Sequence, residues 1–203
     1  MVPAPLPDLS PEAISRRTGL ILRREGEESG GEEALAHFLA DLRDQGVRLG
    51  GVIQRTRLLP PEVEGGEERK IMELIDLSSG GVLSMTQDLG SGAGHCALDE
   101  SALAEGAQIV RAALESGVDL LLVNKFSNRE SAGKGMLAEI FDAMSRGCPL
   151  LTTISPRHLT KWREMAGDLG SLLAPDEEAV RRWWQGVRQA PTHLEKEADH
   201  GPE

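Results

Sequence analysis

Apolar positions along the chain follow two alternating patterns, short continuous runs and helical stripes. Leu35, Phe38, Leu39 and Leu42 lie at i, i+3, i+4 and i+7, which is one face of an α-helix. Almost wholly apolar runs, typical of strands covered on both faces, are GLILRR (19–24), RLGGVIQR (48–55), VDLLLVN (118–124) and PLLTTIS (149–155). Strands that alternate with helices in this way predict βαβ units and a three-layer α/β domain with a mainly parallel sheet.

One β-hairpin is predicted as an insertion into this alternation. The segments RKIMELIDL and GVLSMTQ flank Ser78-Ser79-Gly80, a combination typical of a hairpin turn. Residues 56–68 hold a proline pair and a glycine pair and are predicted to form a loop. Further amphipathic helices are predicted after Asp99, around 137–144, around 157–167 and around 176–188.

A length of 203 residues suits one domain with its own core. The sequence predicts a flexible leader over residues 1–17, a single α/β domain over 18–188 and a disordered tail over 189–203. No signal peptide is evident, and no apolar run approaches the roughly 20 residues that span a bilayer. We therefore expect a cytoplasmic protein without a membrane partner.

Charge and aromatic content narrow the range of ligands. The net charge of −11 argues against a general binder of the phosphate backbone. Three Phe, three Trp and no Tyr argue against a platform on which bases stack. We therefore expect no nucleic-acid partner, although local donors can still hold a small anion in an acidic protein. The two cysteines and five histidines lack metal-site spacing, so no metal site is predicted.

Ligands of an open α/β sheet bind outside the carboxyl ends of its strands, which selects the loops to inspect. These are residues 24–33, the region after Gln54, residues 124–135 and residues 155–162. The first contains three glycines but no lysine, and five glutamates crowd it. A phosphate-binding loop needs that lysine, and the carboxylates would repel a triphosphate. A solvated acidic loop is the favoured interpretation of this segment.

The segment DLLLVNKFSNRESAGKGMLAEIF places Asn124 and Lys125 at the end of a buried strand. A metal-dependent hydrolase needs a carboxylate there to hold magnesium or orient water. Lys134, between Gly133 and Gly135, precedes a predicted helix whose N-terminus could attract an anion. A solvated lysine in a flexible loop is an equally good interpretation.

Other candidate ligand-binding residues lie in a glycine-rich loop and at two predicted strand ends. Backbone N–H groups of Gly90, Gly92 and Gly94 could form an anion nest, although the pattern alone favours a flexible turn. Gln54 and Gln87, each at a predicted strand end, suit pocket donors and turn residues equally well. No cofactor can be named from these residues.

Several motifs together resemble one family. They are GVRLGGVIQR, MELIDLSSGGVLSMTQDLGSGAGHCALD, GVDLLLVNKFSNRESAGKG, PLLTTISPRHLTKWREMAGDLG and the late Trp183-Trp184 pair. Over about residues 18–187 the chain resembles an uncharacterised bacterial domain family that is associated with molybdenum transport and nitrogenase genes. More distantly, the order of elements is similar to P-loop nucleoside triphosphatases that act on free nucleotides.

The resemblance implies a P-loop-like fold with degenerate motifs. Asn124 and Lys125 stand where the hydrolases have acids, and Arg157 stands where they place basic residues near phosphates. A solvated residue at the start of a helix is an equally good interpretation of Arg157. We therefore expect a non-hydrolytic accessory or regulatory protein that binds a nucleotide or oxyanion, in molybdenum or nitrogenase metabolism. The alternatives are a nucleoside triphosphatase or phosphotransferase with displaced motifs, and a scaffold that binds a protein partner.

Overall fold

The computed structural model describes residues 7–24, 32–60, 69–87, 97–98, 100–123 and 125–189. Its strands are β1 (Thr18–Leu22), β2 (Leu49–Leu59), β3 (Arg69–Asp76), β4 (Val82–Ser84), β5 (Thr86–Gln87), β6 (Ala97–Leu98), β7 (Leu120–Val123), β8 (Leu150–Ile154) and β9 (Ser171–Leu173). Its helices are α1 (Pro11–Arg17), α2 (Glu32–Asp44), α3 (Glu100–Ser116), α4 (Asn128–Ser131), α5 (Leu137–Ser145), α6 (Leu159–Ala166) and α7 (Glu177–Gln189). A 3₁₀ turn, Pro156–His158, leads into α6.

Within these residues, seven strands form one sheet in the order β4-β3-β2-β7-β8-β1-β9. The five from β2 to β9 in this order run parallel to one another. The hairpin of β3 and β4 adds to β2 in antiparallel fashion, and β5 pairs with β6 separately. The predicted α/β class, with a mainly parallel sheet and an inserted hairpin, is confirmed.

The sheet separates two apolar cores. Leu121 and Val123 of β7 face a core shared with α3, α5 and α6, in which Trp162 is buried. Leu120 and Leu122 face the other core, which α2 and α7 cover. Burial of a Leu side chain stabilises the fold by about 1.5–3 kcal/mol. A strand that is apolar at every position gains this on both of its faces only in the centre of a sheet that is covered on both sides. The Trp183-Trp184 pair of α7 lies in the second core.

Strand β2 is longer than its sequence suggests. It continues to Leu59, where the sequence predicts a loop from residue 56, because it pairs with β3 from Val52↔Asp76 to Leu59↔Arg69. An ion pair across the two strands, between Arg55 Nη2 and Glu73 at 2.7 Å, supports this arm. Gln54 therefore lies inside a strand, opposite Leu74, and its predicted place at a strand end was wrong.

Gly51 allows β2 to lie beside β7. Its φ is +94°, and a Cβ atom there would lie 1.9 Å from the Leu122 carbonyl oxygen. Any other residue would have to push the two strands apart. The Gly51 carbonyl also accepts a hydrogen bond from the Leu77 backbone N–H at 3.0 Å, which ties the hairpin to β2.

Helix α1 falls within the stretch for which the sequence predicts a flexible leader. The Ser10 hydroxyl accepts a hydrogen bond from the Ala13 N–H at 3.3 Å, and Pro11 occupies the first turn. Ser15 binds the start of β9, since its Oγ accepts from the Gly170 N–H and its carbonyl accepts from the Ser171 hydroxyl. Residues 1–6 and 190–203 lie outside the described part of the chain. No helix in the described part is long and apolar enough to cross a bilayer.

Candidate functional site

Three neighbouring strands, β7, β8 and β1, end at the same edge of the sheet. Beyond β1, the Arg23 N–H donates to the Ile154 carbonyl at 2.8 Å. Beyond β7, the Phe126 N–H donates to the Thr153 carbonyl at 2.9 Å. Backbone hydrogen bonding therefore continues past the ends of β1 and β7, so Arg23 and Phe126 hold fixed positions at this edge.

Phe126 anchors the segment after β7. Its side chain is fully buried, and its ring meets Trp162 edge-on, with centroids 5.2 Å apart. The His158 ring approaches Phe126 in the same manner at 6.3 Å. Such edge-to-face contacts fix ring orientation as well as burying apolar area. Lys125, half-buried just before Phe126, is thereby held at the carboxyl edge.

The loop around α4 is built on the carboxylate of Glu130, a residue that is 6% exposed. One oxygen accepts from the Ser127 N–H at 2.9 Å and from the Ser127 hydroxyl at 2.8 Å. The other accepts from the Met136 N–H at 3.3 Å. Because charge-assisted bonds of this kind are among the strong ones, Glu130 holds its own loop closed.

Both nitrogens of the His158 ring have hydrogen-bond partners. Nδ1 lies 3.0 Å from the Ser131 hydroxyl oxygen, and Nε2 accepts from the Arg157 Nε–H at 3.2 Å. The side chain is 7% exposed. Burial lowers the pKa of His158, and the nearby charges of Arg157 and Arg23 lower it further, against an opposing effect of Glu130. His158 is therefore a neutral ring at physiological pH.

Positive charge gathers at this edge from two strands. Arg23, 9% exposed, follows β1, and the exposed Arg157 follows β8. The one buried carboxylate among the described residues of this cluster, Glu130, is occupied by its loop. Arginine presents several N–H donors in a plane, which suits the oxygens of phosphate and related anions. The two arginines therefore present donors suited to an anion at one edge of the sheet.

The structure brings two of the predicted site residues to this edge. Lys125 and Arg157 follow the adjacent strands β7 and β8. Lys134 is exposed on the loop after α4, where its backbone N–H donates to the Arg129 carbonyl at 2.9 Å. Asn124 lies outside the described residues.

The remaining predicted residues lie elsewhere or cannot be placed. Gln54 is half-buried on the β2–β3 arm. The backbone of Gln87 belongs to the small β5–β6 ladder, which is not part of the seven-stranded sheet. Gly90, Gly92 and Gly94 fall between β5 and β6, outside the described residues.

Sequence reasoning missed three contributors to the site, namely Arg23, Glu130 and Ser131. The spacing Ser127-x-x-Glu130 is a capping-box signature and could have revealed the buried carboxylate. The predicted first strand, GLILRR, includes Arg23, although Arg23 follows the last apolar residue of that run. No local sequence pattern predicts the contact of Ser131 with His158, because the two residues are 27 positions apart.

The described part of the chain holds no cluster of three or more His, Cys, Asp or Glu side chains that could bind a metal. His95 and Cys96 lie outside it. Burial raises the pKa of the Cys148 thiol to about 11, so at neutral pH it is a protonated packing group.

A family model described as "Protein of unknown function (DUF2478)" matches residues 21–183, most of the chain. The chain belongs to this family. The match begins within β1 and ends in α7, so the DUF2478 region contains the entire edge formed by β1, β7 and β8.

Two other proteins resemble this DUF2478 chain. It is 33% identical over 166 residues to "Molybdenum import ATP-binding protein ModC 2" of Bradyrhizobium diazoefficiens, which covers 81% of this chain and 18% of that protein. The chain thus spans less than a fifth of that relative's length. THEP1 from the hyperthermophile Aquifex aeolicus has a crystal structure that matches 79% of this chain and 90% of its own, with a TM-score of 0.53 and 13% identity. This likeness concerns the fold alone, and the predicted P-loop-like α/β fold agrees with it.

Proposed function

We propose that this DUF2478 domain binds a small anionic ligand, a nucleotide or an oxyanion, and does not hydrolyse it. It would do so in the cytoplasm, as an accessory or regulatory protein. The observation that carries the proposal is the pair Arg23 and Arg157 at the ends of β1 and β8, beside a neutral His158. In this class of fold the carboxyl edge of the sheet is where ligands bind.

Two further residues would complete the site. Lys125 follows β7 at the same edge, and Asn124 precedes it in the sequence. An amide and an ammonium group are donors suited to an anion, whereas a magnesium ion prefers carboxylate oxygens. Lys134 and the glycines of residues 90–94 remain predicted contacts.

We infer that the ligand is not hydrolysed from the carboxylates near the end of β7, which are either engaged in hydrogen bonds or missing. Glu130 accepts three hydrogen bonds from its own loop, so its oxygens are poorly placed to hold magnesium or to activate water. Neither position 124 nor position 125 supplies a carboxylate. A site of this kind binds without turnover.

A role in molybdenum metabolism is supported by one relative. The similar segment makes up 18% of a protein named for molybdenum import and ATP binding. A domain that is similar to part of such a protein is a reasonable candidate for sensing the imported oxyanion or the nucleotide. We therefore include molybdate among the candidate ligands.

A thermal-shift series tests the proposal. The purified protein is heated with ATP, GTP or ADP, each with and without magnesium, and with molybdate, tungstate, sulfate or phosphate. At 100 times Kd a ligand stabilises by about 2.7 kcal/mol. For a domain of this size that corresponds to a rise in Tm of about 5–10 °C.

Arginine variants identify the site. Arg157→Ala should weaken binding roughly 10- to 100-fold, because it removes charge-assisted donors. Arg163→Ala, which removes an exposed arginine from α6, is the matched control and should bind as the wild type does. Equal binding by the two variants would place the ligand elsewhere.

Other outcomes would favour the alternatives. A shift that requires magnesium nucleotide, together with phosphate release, would indicate a hydrolase with displaced motifs. No shift with any of these ligands would reject the proposal and favour a scaffold that binds a protein.

A further inference from the structure

The connection between α4 and Arg157 runs through the His158 ring. Ser131, on α4, contacts Nδ1, and Arg157 donates to Nε2. We infer that His158 is a positioning residue, which holds the Arg157 guanidinium at the carboxyl edge through an unprotonated Nε2. This inference rests on the proposed function for its consequence in binding, while the geometry that it describes can be measured without a ligand.

The protons of this network follow from donor chemistry. An arginine Nε–H can only donate, so His158 Nε2 must be the acceptor and carries no proton. A neutral imidazole then carries its proton on Nδ1, which donates to the Ser131 oxygen. With Nε occupied, the two terminal nitrogens of the Arg157 guanidinium remain to bind an oxyanion in a bidentate manner.

The ring itself cannot easily turn. It is buried, it meets Phe126 edge-on, and Ser131 belongs to the short helix that the Glu130 carboxylate closes. The contacts thus form a series: Glu130 fixes the loop that carries Ser131, Ser131 holds the His158 ring, and the ring holds Arg157. A long arginine side chain loses much rotamer entropy when a ligand orders it, and an arginine fixed in advance loses less.

Acidification should release the arginine. A second proton on His158 would remove the Nε2 acceptor and place two cations in contact. Among the described residues, the charged groups that act on the ring are Arg157 on its own turn, Arg23 beyond β1 and Glu130 on α4. Since two of these three are cations, protonation is opposed at neutral pH and the connection to Arg157 stays intact there.

The ligand-free arm of the test uses NMR of the full chain. We expect the Arg157 Nε–H to give a slowly exchanging signal at pH 7, and the ring nitrogens of His158 to report a proton on Nδ1. His158→Phe keeps an aromatic ring but no acceptor, and should abolish the slow exchange. His158→Gln places an amide oxygen at the position of Nε2 and should restore part of it. Fast exchange in the wild type would overturn the inference.

The binding arm is a double-mutant cycle with molybdate and phosphate as probes. His158→Phe should weaken binding roughly fivefold in the wild-type background and have no effect in the Arg157→Ala background. Ser131→Ala, a milder change, should act in the same direction, and Arg163→Ala is the control. Equal losses in both backgrounds would mean that His158 acts independently of Arg157, and the inference would be wrong.

The two arms separate the two proposals. If no anion binds the wild type but the Arg157 signal depends on His158, the positioning role stands and the proposed function fails. If anions bind through Arg157 while the NMR signals are insensitive to His158, the function stands and the positioning role fails.

Discussion

Gly135 closes the loop around Glu130 and shows how much a single residue contributes to the site. Its φ is +63°, and a Cβ atom would lie 2.1 Å from a carboxylate oxygen of Glu130. Gly133, two residues earlier, has a φ of +77° but open space around the same position. The two glycines therefore share a backbone requirement and differ in whether a methyl group fits.

This difference predicts unequal effects of alanine. Gly133→Ala should cost about 1–2 kcal/mol, the cost of a left-handed conformation for an L-residue. Gly135→Ala should lower the free energy of unfolding by about 1–3 kcal/mol more than Gly133→Ala, because the methyl group displaces the buried Glu130 carboxylate from its donors. Urea unfolding of the two variants measures the difference. Equal losses would mean that Glu130 moves aside freely and does not hold the loop.

At the residue scale, the sequence predicts properties that depend on neighbouring residues in the chain, and it does not predict those that depend on contacts between distant residues. Lys125 and Arg157 were placed correctly at strand ends, because a strand end can be recognised from its apolar run. The neutral state of His158 could not be predicted, since it depends on burial and on Arg23, which is 135 positions away along the chain.

Between elements, Arg48 and Asp119 join the starts of two neighbouring strands, β2 and β7. The Arg48 backbone N–H donates to Asp119 Oδ2 at 2.8 Å, and its Nη2 donates to Oδ1 at 2.7 Å. The hydrogen bond from the Arg48 side chain lowers the pKa of the Asp119 carboxyl below its ordinary value. Both side chains are partly exposed, so the stabilisation should be small and sensitive to salt.

The direction of that pKa shift predicts a dependence on pH. A carboxylate with a lowered folded pKa stabilises fully above its unfolded pKa of about 3.9 and loses this contribution as the pH falls through the folded value. Asp119→Asn should therefore be less stable than the wild type at pH 7 in urea unfolding, and the difference should shrink below pH 4. Asp168→Asn, in the exposed turn after α6, is the control. A difference that persists at pH 2.5 would assign the effect to packing.

At the element scale, the buried parallel strands were predictable, whereas the additions to them were not. Strand β7 is wholly apolar and β8 is apolar except for two threonines, and these runs suffice to predict buried strands. Strand β9 has three residues, one of them the exposed Leu172, so its sequence resembles a loop. The second half of β2 is fixed by pairing with β3, which overrides the loop signals after it.

For the whole molecule, protection of the backbone should follow depth in the sheet. Strands β7 and β8 are buried at every position, whereas β4 and β9 lie at the two edges. We expect native-state hydrogen exchange to be slowest in β7 and β8 and to approach local opening in β4 and β9. Peptides from β4 that exchange as slowly as those from β8 would show that another surface covers this edge.

The strand order is the feature of the whole molecule that the sequence could not supply. The alternation of strands and helices predicts a parallel sheet, but many orders satisfy it. The observed order depends on glycines that allow close approach, such as Gly51 against β7, and such contacts leave no periodic signal.

The position of β1 has a consequence for how the chain is made. It is the first strand in the sequence, yet its neighbours in the sheet are β8 and β9, which are synthesised more than 120 residues later. Both hydrogen-bonding edges of β1 therefore stay unsatisfied until β8 and β9 have left the ribosome, while β2, β3 and β7 can already pair. Contacts over such distances slow folding. Pairing of β8 with β1 also brings Arg23 and Arg157 to one edge, so the proposed anion site forms only after β8 has joined the sheet.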